Sequence, residues 1–145
     1  PVSGKSLDVV TVMDEEFVFI ASLMQQERFS RLTPEALHLQ PLIAFESGSG
    51  TRALIDGWFA ACGLAIAPVM QLGSIEAIKR MVRAGLGYSI VPRMAVEHAA
   101  DREGLSVMSL EPVLQRQLAV VMRQDKILSK GIAAIIRIIQ NPPVN

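Results

Sequence analysis

Between Pro41 and Pro92 the chain alternates strands and helices through connections of only a few residues, which restricts it to a layered α/β fold. Pro41 to Phe45 reads as a strand and leads into a Gly/Ser loop. Leu54, Ile55, Trp58, Phe59 and Cys62 then recur at helical spacing, with Gly63 as the stop. Ala67 to Leu72 forms a second strand. The next helix carries Ile75, Ile78, Met81 and Val82 on one face, with Ser74 as its cap, Gly85 as its left-handed end and Glu76 spaced to pair with Arg80. Tyr88 to Val91, closed by Pro92, is the third strand. Short strand–helix–strand links of this kind turn right-handed and lay the strands parallel.

The flanks extend the pattern. Leu7 to Met13 and Glu16 to Ala21 are rich in β-branched and aromatic residues, and the acidic run Asp14, Glu15, Glu16 reads as a polar turn between two strands. Gln25 to Leu32 reads as a connector, and Thr33 with Pro34 opens a short helix. A helical stretch around Met94 to Ala100 precedes two further strands, Leu105 to Leu110 and Gln117 to Met122. Ser129 caps a last helix that lines up Ile132, Ile135, Ile136 and Ile139 and stops at Asn141-Pro-Pro.

Composition narrows the functional classes. Half of the 145 residues are apolar and 19% are charged, enough for one domain or two small lobes with a real core. The 14 basic and 14 acidic residues cancel, and no Lys/Arg block supplies a nucleic-acid footprint. A single cysteine, Cys62, excludes an internal disulfide framework and fits a reducing, cytoplasmic compartment. No apolar run reaches the roughly 18–20 residues of a membrane span, so no membrane partner is expected. The opening residues lack a signal-peptide pattern and enter a strand abruptly, as in a fragment of a longer protein.

The loop "ESGSGTR" (residues 46–52) is the segment with chemistry to assign. Gly48, Gly50 and Ala53 satisfy the dinucleotide spacing, but the next strand ends in Gln71-Leu-Gly-Ser without the acidic residue a ribose needs. No lysine follows the glycines as in a P-loop, and Ser47 stands where a nucleophile elbow requires glycine. His38 and His98 lie in unrelated segments, and no metal-ligand spacing occurs, so no catalytic residue, metal or cofactor is expected. What remains is a helix start with backbone N–H groups and hydroxyls, suited to a carboxylate, sulfate or phosphate. The alternative is a plain turn in which Ser49 or Thr51 only caps the helix. Gly73-Ser74 opens the following helix in the same way at the end of a strand, where α/β sheets bind ligands. Ser47, Gly48, Ser49, Gly50, Thr51, Gly73 and Ser74 are therefore the candidate site. Trp58 and Phe59 read as core, Cys62 as a small buried hydrophobe, and Glu76, Lys79, Arg80 and Arg83 as a solvated face. Arg52 has three partners open to it: Glu46, Asp56 or a bound anion.

Three stretches, "PLIAFESGSGTRALIDGWFAACG", "LGSIEAIKRMVRAGLGYSIVP" and "LAVVMRQDKILSKGIAAIIRII", resemble the effector-binding domain of LysR-type transcriptional regulators. The resemblance runs from about Leu7 onward. It implies a fold like a type 2 periplasmic binding protein: two α/β lobes joined by two crossing strands, with a small effector in the cleft. Residues 23–122 would then form a complete lobe with a parallel-rich sheet flanked by helices. Residues 1–22 and 123–145 would belong to part of the other lobe. It also implies no enzymatic activity, a homo-oligomer, and DNA contact only through an N-terminal helix-turn-helix that this chain does not contain. A transporter's solute-binding protein of the same fold is the alternative, and a cofactor-dependent enzyme would need an acid/base pair that the loop lacks.

Overall fold

The computed structural model describes residues 7–124 and 129–140, so the proposed Asn141-Pro-Pro stop lies outside the described residues. The chain divides into two compact units, residues 16–114 and residues 1–15 with 115–145.

In the larger unit the expected alternation is present. Strand β1 (Leu7–Ser22) enters it and is followed by a 3₁₀ turn, Leu23–Arg28, where a plain connector was expected. Next come α1 (Pro34–Leu37), β2 (Ile43–Phe45), α2 (Gly50–Ala60), β3 (Met70–Leu72), α3 (Ile75–Arg83) and β4 (Ser89–Pro92). A second 3₁₀ turn (Arg93–Val96), α4 (Ala99–Arg102) and β5 (Leu105–Arg123) complete the run before α5 (Lys130–Gln140). β2 and β3 pair in parallel, with Ile43 opposite Met70 and Phe45 opposite Leu72. β4 pairs antiparallel with β1, Phe17 opposite Pro92 and Ile20 opposite Ser89, in a sheet ordered β4-β1-β5. A parallel bridge between Leu42 and Tyr88 links the two sheets. Ile43 N–H donates to the Tyr88 carbonyl at 2.8 Å, and Ser89 Oγ donates to the Ile43 carbonyl at 2.7 Å.

The run Phe17 to Ala21 is buried on both faces, and alternate residues feed two cores. Phe17, Phe19 and Ala21 join Ile55, Trp58 and Phe59 of α2 with Tyr88 and Ile90. Val18 and Ile20 join Ile78 and Val82 of α3 with Val91. Tyr88 stacks on Phe19 at 5.3 Å and donates its hydroxyl to the Leu37 carbonyl at 3.0 Å, while burial pushes its phenol pKa up.

Asp14, Glu15 and Glu16 form no turn: β1 runs straight through them because cross-strand partners meet the carboxylates. Glu15, 3% exposed, accepts from Arg116 Nε at 2.6 Å, and Asp14 accepts from Gln117. Glu16 takes a two-pronged contact from Arg93 at 2.9 and 2.8 Å, joined by Ser109. β5 is likewise one strand where two were expected. Its middle is held by Trp58 Nε1–H on the Pro112 carbonyl at 2.9 Å and by Glu111 N–H on the Leu32 carbonyl at 3.0 Å.

The face of α3 assigned to solvent is partly core. Lys79 is 1% exposed, and its Nζ contacts Glu76 at 2.7 Å, Asp101 at 2.8 Å and the Ala95 carbonyl at 3.1 Å. Glu76 thus serves Lys79 rather than Arg80. Arg83 donates to the carbonyls of Glu103 and Asp101. Finally, Cys62 is exposed, because α2 ends at Ala60 and the backbone turns over at Ala61 to Leu64 before the apolar face reaches it.

In the smaller unit Gln124 donates to Asp8 at 2.8 Å, and Ser129 Oγ accepts from Ile132 N–H at the start of α5. The stripe expected on α5 is largely exposed, with Ile132 at 50% and Ile135 at 57%, while Ile136 is half-buried.

The Gly-x-Gly before β4 has a physical basis at both positions. Gly85 ends α3 at φ +79°, and a side chain on Gly87 would collide with the Pro41 carbonyl, which accepts from Tyr88 N–H. Gly87→Ala is expected to destabilise the chain by about 2–4 kcal/mol in denaturant titration. Gly57→Ala, on an open side of α2, should instead stabilise it by about 0.5–1 kcal/mol.

Arg93 donates to both Glu16 oxygens and holds that carboxyl below its ordinary value of 4.5, outweighing the opposing effect of burial. A carboxyl depressed on folding stabilises above its unfolded pKa and loses that contribution as pH falls through the folded value. Unfolding free energy should therefore hold above about pH 5 and decline below it, and Glu16→Gln should lose part of that acid sensitivity.

Candidate functional site

Parallel pairing sets the two candidate loops side by side. Phe45 and Leu72 are the paired last residues of β2 and β3, so residues 46–49 and 73–74 leave adjacent strands at the same sheet edge. Glu46 N–H donates to the Leu72 carbonyl at 3.2 Å, continuing the pairing one step beyond the strands.

Each loop ends in a capped helix. Ser49 Oγ accepts from Arg52 N–H at 3.1 Å and donates to the Glu46 carbonyl at 3.0 Å, so this hydroxyl is committed to the cap. Ser74 Oγ accepts from Ala77 N–H at 3.5 Å in the same role on α3. Gly48 turns the chain at φ +89°, and both Gly48 and Gly50 face open space. Thr51 lies half-buried in the first turn of α2, and Ser47 is exposed. Of the seven candidates, Ser47 to Thr51 thus form one rim and Gly73 with Ser74 the other.

Two residues outside the candidate set shape the rim between them. The Glu46 carboxylate lies flat against Gly73, whose Cβ, were there one, would stand 2.8 Å from Oε1. Gln71 Oε1 accepts from Ser47 N–H at 3.3 Å and from Arg52 Nη1 at 3.1 Å, tying β3 to the loop. Of the partners open to Arg52, the structure selects Asp56, at 2.8 Å from Nε one turn along α2. Its guanidinium also donates to the Phe45 carbonyl, and only 12% of its side chain is exposed. Arg52 is thus a brace of the loop. Gln71 could have been found from the sequence, since it is the polar residue next to the end of a strand, two before Gly73. Glu46 carries no such signal, because its position follows from the pairing of β2 with β3.

Chemically, the rim offers backbone N–H groups, two helix starts and one carboxylate, a set suited to binding. Among the described residues no group of His, Cys, Asp and Glu could hold a metal ion, and no helix is long and apolar enough to cross a membrane.

A family model described as the LysR substrate binding domain matches residues 1–141. The chain is 36% identical over 108 residues to the HTH-type transcriptional regulator CbbR of Xanthobacter flavus, covering 72% of this chain and 32% of that protein. It is 31% identical over 134 residues to the HTH-type transcriptional activator CmpR of Synechocystis, covering 89% and 43%. The chain therefore spans less than half the length of these relatives. Among solved structures, the CcmR regulatory domain of Synechocystis PCC6803 in complex with 2-PG superposes with a TM-score of 0.83 at 24% identity, covering 99% of this chain and 72% of that one. The effector binding domain of QuiR in complex with shikimate gives 0.78 at 18% identity, covering 97% and 67%.

Proposed function

The chain belongs to the LysR substrate-binding domain family, and from that premise we propose that it is the effector-sensing part of a bacterial transcriptional regulator. It has the α/β fold of LysR-type effector-binding domains, which is that of type 2 periplasmic binding proteins. In this reading the loop pair 47–51 and 73–74 holds a small anionic metabolite, binds it without turning it over, and passes the bound state on within a homo-oligomer. DNA contact is assigned to a helix-turn-helix segment such as the relatives' names denote, in keeping with the zero net charge of these residues.

The observation that carries the reading is the adjacency of two capped helix starts at one sheet edge. Each directs N–H groups and a partial positive charge of about half an elementary unit outward. The ligands printed for the CcmR and QuiR structures, 2-PG and shikimate, support a small-molecule effector for this chain as well.

Because Ser49 is a working cap, its replacement by alanine would cost about 1 kcal/mol of stability and blur the test. Ser49→Asp keeps an acceptor for the Arg52 N–H, gives up the bond donated to the Glu46 carbonyl, and adds a negative charge at the rim. In a thermal-shift screen against sulfate, phosphate and small carboxylic acids, a ligand at 100 times its dissociation constant should stabilise the chain by about 2.7 kcal/mol, or several degrees. Ser49→Asp should remain folded, its own melting temperature serving as the baseline for the shift, and bind at least about tenfold more weakly. If none of these anions gives a saturable shift, or if Ser49→Asp binds equally well, the loops are turns and caps only.

A further inference from the structure

A cavity in the larger unit shares no residue with the two loops. It measures about 510 Å³, within the range of small-molecule sites, and opens between the start of α1, the turn after α2 and the middle of β5. Its walls are fixed. Pro34 is buried, Thr33 Oγ1 accepts from Ala36 N–H, and the Trp58 indole holds the Pro112 carbonyl at 2.9 Å.

The walls carry three exposed charged side chains, Arg31, Glu35 and Glu111. Glu111 N–H bonds the Leu32 carbonyl, which keeps the segments bearing Glu111 and Arg31 adjacent. Yet among the described residues neither the Arg31 guanidinium nor the Glu111 carboxylate has an ion-pair or hydrogen-bond partner. Glu35 completes the set. Its own backbone N–H, the Thr33 hydroxyl and the Cys62 thiol hold its carboxyl below the ordinary range, so it is anionic at neutral pH. The cavity thus presents one cation and two anions. A simple polyamine would meet Arg31, and a simple carboxylate or phosphate would meet two glutamates. The complement is a molecule with one anionic and two cationic ends.

We propose that this cavity is a second small-molecule site that takes a dibasic amino acid, with the α-carboxylate on Arg31 and the two cationic groups on Glu35 and Glu111. It is independent of the loop site. Occupancy would neutralise three exposed charges and clamp α1 to the middle of β5.

The test is a titration of the 145-residue chain with L-lysine and L-arginine, followed by calorimetry and by backbone amide NMR shifts. Saturable shifts are expected at Thr33, Glu35 and Cys62, with Ser49 and Ser74 unmoved. Arg31→Gln and Glu111→Gln, both at exposed positions, should leave the melting temperature in place and each weaken lysine binding by about tenfold. Cadaverine, which lacks the carboxylate, and glutarate, which lacks the amines, should bind at least about tenfold more weakly than lysine. The proposal is overturned if neither amino acid binds saturably, if the shifts fall on Ser49 and Ser74, if both variants bind like the parent, or if cadaverine matches lysine.

Discussion

The complete burial of Phe17 to Ala21 is the constraint on which the larger unit rests. A strand in which every side chain is apolar has no solvent face, so each side of it must be covered. α2 supplies Ile55, Trp58 and Phe59 to one side, and α3 supplies Ile78 and Val82 to the other. α2 links β2 to β3 within one sheet, α3 carries the chain from β3 to β4 in the other, and the parallel Leu42–Tyr88 bridge places β2 between β3 and β4. Once that order is set, the starts of α2 and α3 must emerge at the same edge from neighbouring strands. The position of the candidate rim is therefore a consequence of how the core closes.

Charge is placed by the same logic. Glu15, Glu16 and Lys79 all lie within regular elements, and each is met by opposite charge. Lys79 has two carboxylates and a carbonyl around a buried ammonium, and those bonds and charges together outweigh burial and raise its pKa. Removing one partner from such a group costs more than the pair contributes, since it strands a charge away from water. α3, which Ser74 caps, is thus fixed along its length by an apolar stripe and by an internal ion cluster that joins it to α4.

Much of this was legible in the sequence, and the misses have common causes. Strand–helix alternation, the caps at Thr33, Ser74 and Ser129, and the left-handed Gly85 are local signals that tertiary structure left unchanged, and of the two caps open to α2 the structure takes Ser49. Asp14 to Glu16 was misread because a charged run signals a turn only when no partner lies across the sheet, and Arg93 and Arg116 are distant in sequence. Lys79 was misread by charge alone, although it stands four residues after Ile75 and next to Ile78, on the inward stripe. Cys62 was extrapolated along a helix that had already ended. The adjacency of the two loops was legible from the expected parallel order, but the contact between Glu46 and Gly73 needed the observed register.

That contact bears on how selective the rim is. The N–H groups and helix dipoles favour an anion, but the Glu46 carboxylate already occupies the space over Gly73. A weakly charged ligand gains little there, because at short range like-charge repulsion offsets what the dipoles offer. Under the proposed function, a ligand with more than one anionic or hydrogen-bonding group would engage Ser47 to Thr51 with one end and displace or bridge Glu46 with the other. The Arg52 brace makes this discrimination sharper. By holding Asp56, Gln71 and the Phe45 carbonyl, it is committed to internal partners, so in the proposed site selectivity would be left to backbone geometry and to the Glu46 carboxylate.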